Sequence, residues 1–175
     1  MFRNYFFALS ILSLLVVGQT VPARAADSCQ PVYNALTKLI TTPSHSYSTQ
    51  TAPLVNGQQR TVETIYVQGK TYMLARGKWM VSPATPKDIL QQELENEKQG
   101  KSSCQFVRNE SVNGEAAAVY SMRRETEIAN ENGLIWISKT SGLALKKEVD
   151  MEYGGKLGKM HLVARYEYSN VKPPM

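Results

Sequence analysis

Histidine, cysteine and long apolar runs are all scarce in this chain. His45 and His161 are the two histidines, and each reads as a surface residue, so a histidine metal site would need both from distant strands. No His-Glu-x-x-His, Cys-x-x-Cys or Gly-x-Ser-x-Gly pattern occurs, which removes the usual signatures of a metalloprotease, a thiol oxidoreductase and a serine hydrolase. Gly100-Lys101-Ser102 has the ending of a phosphate-binding loop, but Glu95 stands where that loop needs glycine, and a helical pattern precedes it instead of following. Charge of either sign is not in great excess. Of the 20 basic residues, Arg3 and Arg24 fall in an N-terminal leader, leaving eighteen against 15 acids and a net charge of +3. The surplus is scattered, with no basic stripe interleaved with aromatics, so nucleic acid is not an expected partner. Glu148, Asp150 and Glu152 alternate along one strand face, the pattern of a solvated sheet surface and not of acid–base catalysis. The expectation is a protein that is not an enzyme and uses no cofactor and no metal. Beyond the leader no run approaches ~18 apolar residues, so no stable membrane insertion is expected.

The leader itself is legible. Arg3 gives a positive start, Tyr5 to Val17 is apolar with interspersed serines, and Ala23-Arg24-Ala25 has the small-x-small form of a cleavage site. Residues 1–25 therefore read as a secretory signal peptide and 26–175 as a single exported domain. Roughly 150 residues suffice for one domain with a real core. Cys29 and Cys104 both lie beyond the leader, and an even pair in an exported chain reads as a disulfide. In the chain-entropy picture so long a loop is worth roughly 4.5 kcal/mol. A lipid anchor on Cys29 is the competing reading, although Ala26-Asp27-Ser28 does not resemble the sequence that precedes such anchors.

The clearest strands come last. Leu134 to Ser138, Leu143 to Tyr153 and Met160 to Tyr168 are separated by Thr140-Ser141-Gly142 and by the glycines at 154, 155 and 158. Leu143, Leu145, Val149, Met151 and Tyr153 share one face with Lys147 as the exception, and Met160, Leu162, Ala164, Tyr166 and Tyr168 share another. This period of two predicts half-buried antiparallel strands. Upstream, Ser28 or Asp27 can cap a helix whose stripe is Cys29, Val32, Leu36, Leu39 and Ile40. Strands are predicted over Ser46 to Ala52, Arg60 to Val67, Thr71 to Arg76 and Lys78 to Val81. Thr85, Pro86 and Asp88 open a second helix running to Gln99, whose apolar residues are only Ile89, Leu90 and Leu94. So narrow a stripe suits a lid over the sheet or an ordinary surface helix. Cys104 to Glu110 and Glu115 to Arg124 flank the Asn113-Gly114 turn, and Glu125 to Glu131 reads as a polar connector. Helix, strands, helix, strands gives an α+β fold, an antiparallel sheet of about eight to ten strands with two or more helices on one face.

Apolar surface is then the main resource left for function. Trp79, Met80, Tyr120, Met122, Trp136, Leu145, Val149, Met151, Met160, Leu162 and Tyr166 are many large side chains for two modest helices to cover. They are the expected wall of an incompletely filled hydrophobic cavity, with Ile89, Leu90 and Leu94 as its lid.

The run from Leu134 through Trp136, Gly142 and Leu143 to Lys146 resembles a signature of bacterial outer-membrane lipoprotein-sorting (LolA-like) proteins, with Ala144 where proline is common. Gly77-Lys78-Trp79 within Tyr72 to Pro83 is similar to that family's earlier Trp-containing strand, and Tyr166 to Val171 is similar to the closing strand of related periplasmic proteins. The resemblance implies a curved, unclosed β-half-barrel whose concave face is covered by helices, located in the periplasm. It further implies a lipid or lipoprotein acyl chain as the ligand. Arg60 is the nearest match to a cavity arginine of classical carriers. An envelope interaction module or sensor, with a protein partner and a vestigial cavity, is the alternative.

Overall fold

The computed structural model describes residues 29–51, 59–127, 129–154 and 158–174; within its second helix the side chains at 86, 93, 94 and 96–99 lie outside the description. The predicted signal peptide and the caps at Asp27 and Ser28 also lie outside the described residues. The elements run α1 (Gln30–Leu39), β1 (Ser44–Thr51), β2 (Gln59–Val67), β3 (Lys70–Ala75), β4 (Lys78–Val81), α2 (Pro86–Gln99), β5 (Lys101–Val112), β6 (Glu115–Glu125), β7 (Ala129–Ser138), β8 (Ala144–Tyr153) and β9 (Gly158–Glu167).

All nine strands form one antiparallel sheet in the order β4-β3-β2-β1-β9-β8-β7-β6-β5. The chain thus builds two meanders that meet where β1 pairs with β9. The two edges, β4 and β5, are consecutive in sequence, and α2 is the connection between them. The sheet curves and does not close, because no bonds join these edges.

Turn chemistry accounts for the tight hairpins. Gln68-Gly69, Arg76-Gly77 and Asn113-Gly114 all have positive φ at both positions, the two-residue geometry whose twist matches the flanking strands. Two differences from the sequence reading have local causes. The connector expected at Glu125 to Glu131 is mostly strand, because Thr126 closes a short turn through its N–H and hydroxyl to the Ala129 carbonyl. Pairing of Arg124 with Glu131 then continues the ladder through a polar stretch. Cys29 takes the N-cap position of α1, without a side-chain capping bond, since its sulfur is committed elsewhere.

The core lies between α1 and the β5–β9 half of the sheet. Val32 and Ala35 of α1 pack with Ile135, Ile137 and Ala144, flanked by Tyr120, Met122 and Tyr166. The Cys29–Cys104 disulfide fastens the start of α1 to edge strand β5. At its other end Lys38 Nζ donates to the Ser141 carbonyl in the β7–β8 turn. α2 contacts β5 and opens with a reciprocal cap in which the Thr85 N–H and hydroxyl donate to Asp88 and the Asp88 N–H donates to Thr85 Oγ1.

Candidate functional site

Strand register fixes which side chains face α1, because residues directly opposite in an antiparallel pair point to the same side. One row across this inner face reads Phe106, Tyr120, Ile135, Lys147, Ala164, Ser48 and Val62. The next reads Cys104, Met122, Gly133, Val149, Leu162, Gln50 and Arg60. A third brings Ser102, Arg124, Glu131, Met151 and Met160 together. On the other half, Tyr166 leads through Ser46 and Thr64 to Met73 and Met80. The inner face is therefore mostly apolar on β6 to β9, with Arg124, Glu131 and Lys147 as the exceptions, hydroxyl-rich on β1 and β2, and apolar again at the β3–β4 edge.

Of the residues expected to form a cavity wall, Met80, Tyr120, Met122, Val149, Met151, Met160, Leu162 and Tyr166 share this face. Trp79, Trp136 and Leu145 do not. A bulge in the β7–β8 pairing sets Trp136 against Lys146 and Ile137 against Ala144, leaving Leu145 as the extra residue. Below the bulge the alternation resumes with Lys147 inward. Leu145 and Trp136 turn outward, where they pack with Ala117 and Val119 into a second cluster closed by Leu134, Val112 and Tyr168. Lys146 lies over the Trp136 ring at 4.2 Å. Trp136 Nε1 is buried and closes no hydrogen bond of ordinary geometry, yet its N–H assists Arg108, the stronger influence, in holding the Glu110 carboxyl below the usual range. Trp79 also faces outward, edge-on to His45, which stacks on Tyr47 and bonds Glu63 at 2.7 Å. His161 pairs with Asp150. Among the described residues no group of three or more histidine, cysteine and carboxylate side chains could hold a metal ion.

Exposure marks where the inner face is least covered. Met73 and Met80 on the β3–β4 side are 37% and 54% exposed, and Phe106 on edge strand β5 is 54% exposed. Phe106 stands edge-on to Tyr120. Ile89 and Leu90 of α2 are half-buried, and the side chain of Leu94 lies outside the described residues. Met73 and Phe106 were absent from the sequence-based wall; the strict alternation of Thr71, Met73 and Ala75, and Phe106 two positions from Cys104, were the available signals. Burial pushes the Tyr166 phenol up to about 12.

Beneath α1 a cavity of about 40 Å³ is lined by Val32, Leu36 and Met122 on its apolar side and by Arg124, Glu131 and Lys147 on the other. A wider hollow of about 540 Å³ lies toward the ends of β7 to β9, where Asn132, Asp150, Glu152 and His161 line it together with Met151 and Met160.

No protein-family model and no curated protein sequence matches the chain. Similar solved structures include LprF from Mycobacterium bovis, at 10% identity and a TM-score of 0.47, covering 85% of this chain and 98% of that one. They also include the LolA superfamily protein NE2245 from Nitrosomonas europaea, at 11% identity and a TM-score of 0.30, covering 80% of this chain and 91% of that one. A DUF1329 family protein from Desulfovibrio piger is similar at 11% identity and a TM-score of 0.28, covering 84% and 95%.

Proposed function

We propose that the inner face of the sheet is a non-enzymatic binding surface for an acyl chain or other lipid, which the protein holds or carries in the bacterial periplasm. The observation that carries this reading is the exposed apolar side chains at both margins of one face of the sheet, Met73 and Met80 at one edge and Phe106 at the other. Unbranched methionines suit a ligand of variable shape. The helix joining these edges brings only Ile89 and Leu90 as described apolar residues, a cover that is sparse enough to move. The resemblance of residues 134–146 to lipoprotein-sorting proteins points the same way. A disulfide suits an oxidising compartment, in keeping with export of residues 26–175 after removal of a signal peptide.

Magnitudes allow releasable binding. Sequestering ten methylenes is worth about 8 kcal/mol. Association costs of roughly 4 kcal/mol or more reduce this. Titration with the neutral probe N-phenylnaphthylamine, followed by displacement with lipids extracted from the same cells, tests the reading. Saturable probe fluorescence that lipid reverses is expected; absence of both overturns it.

A further inference from the structure

Sulfur is concentrated on the inner face. Cys29 and Cys104 are committed to their disulfide, so the thioethers are the sulfur left open to chemistry. The described methionines, Met73, Met80, Met122, Met151 and Met160, all belong to inner-face rows of the register. Their surroundings differ. Met122 packs into the core beneath α1. Met151 and Met160 are direct partners across β8 and β9 and half-buried, and the Met151 sulfur accepts the Tyr153 hydroxyl at 3.5 Å. Met73 and Met80 are likewise direct partners, across β3 and β4, but are 37% and 54% exposed. Position is the cause: β4 is an edge strand of four residues bonded only to β3, and α1 packs on the other half of the sheet. Side chains directly opposite in an antiparallel pair have their Cβ atoms about 5 Å apart, so these two form one apolar patch at the margin.

We propose that Met73 and Met80 are an oxidative modification site whose reagent is a hydroperoxide, and that their conversion to sulfoxides weakens the hold of the inner face on an acyl chain. The weakening rests on the reading of that face as an acyl-binding surface; the selectivity of the modification does not. In the reaction a thioether lone pair attacks the terminal peroxide oxygen, and an S–O bond forms as the O–O bond breaks. The proton of the attacked oxygen passes to the departing one, which leaves as water or an alcohol. Sulfur is oxidised by two electrons and the peroxide is reduced by the same two. Peroxide arriving from water reaches the exposed pair before the half-buried one. The product is a polar, chiral side chain, and covering its oxygen with hydrocarbon removes that oxygen from water without a compensating hydrogen bond. Leucine at both positions would keep the patch apolar without this chemistry.

Graded treatment of the full chain with hydrogen peroxide, stopped with catalase, tests both parts. Peptide mass spectrometry should find sulfoxide at Met73 and Met80 at least about fivefold sooner than at Met151 and Met160. Over the same doses the affinity for N-phenylnaphthylamine should fall about tenfold, in step with those two sulfoxides. The Met73→Leu, Met80→Leu chain, whatever its starting affinity, should keep that affinity through the doses that modify the wild-type pair. Sulfoxide appearing at all the described methionines at one rate overturns the site. Full conversion of Met73 and Met80 with unchanged probe affinity overturns the effect on binding while leaving the acyl reading intact. An equal loss of affinity in the leucine variant places the cause at other residues and overturns it as well. Failure of the untreated chain to bind the probe overturns the acyl reading and the effect on binding with it, and the sulfoxide map still decides the site.

Discussion

Lys38 Nζ donates to the Ser141 carbonyl across 2.6 Å and so ties the last turn of α1 to the turn between β7 and β8. Gly142 makes room for this contact: a Cβ there would meet Lys38 Nζ at 2.8 Å, and its φ of +69° disfavours any side chain. Gly142→Ala is expected to lower stability by about 1–2 kcal/mol, chiefly through the left-handed backbone. Thermal melting reads this, and Lys38→Met should show a smaller loss.

At the opposite end of α1 the bond between Cys29 and Cys104 does the same service covalently. Non-reducing and reducing gels should differ in mobility, and the difference should vanish in Cys104→Ser. The double Cys29→Ser, Cys104→Ser chain should lose about 2–4 kcal/mol of stability by denaturant titration.

Tyr166 gives the fold an alkaline limit. Its folded-state value of about 12 lies above the ordinary phenol value of 10.0 because burial disfavours the phenolate. The resulting stability is complete below pH 10, where both states hold the proton, and is lost as pH rises from there through about 12. Burial also raises Tyr168, whose hydroxyl donates to the Ala144 carbonyl at the β8 bulge. Tyr166→Phe should flatten the decline of melting temperature between pH 10 and 12 without altering stability at neutral pH by more than about 1 kcal/mol.

Inner and outer faces make opposite demands on the same probe. Met160→Asp sets a charge beside Met151 on the inner face and should weaken acyl-probe binding at least about tenfold. Trp79→Ala removes a larger apolar side chain, but from the outer face beside His45, and should leave the affinity unchanged. Equal losses from the two substitutions would contradict the assignment of the inner face.

Much of this arrangement was legible in the sequence, and the failures are local. Alternation located the strands, and glycine with a preceding left-handed residue located Gln68-Gly69 and Asn113-Gly114. The disulfide followed from two cysteines beyond a leader that reads as a signal peptide. Alternation placed Leu145 with Val149 because a period of two has no way to register a bulge; one inserted residue reverses every side chain before it. Lys147, the exception in that pattern, does face inward, on the row of Ile135 and Ala164. The tryptophans misled for a different reason. Large aromatic side chains are buried on either face of a sheet, and Trp136 has its own outer cluster with Val119 and Leu145. Nothing short of register distinguishes the two faces of β1, where Ser44, Ser46, Ser48 and Gln50 oppose His45, Tyr47 and Thr49.

The central claim is that an apolar chain lies against the inner face, and photolabelling tests it most directly. A diazirine-bearing fatty acid bound to the full-length chain and irradiated should attach at Met151, Met160, Leu162, Met80 or Phe106, as located by peptide mass spectrometry. Labelling confined to the outer face, around Trp79 or Trp136, or no labelling above a solvent-exposed control, would contradict it.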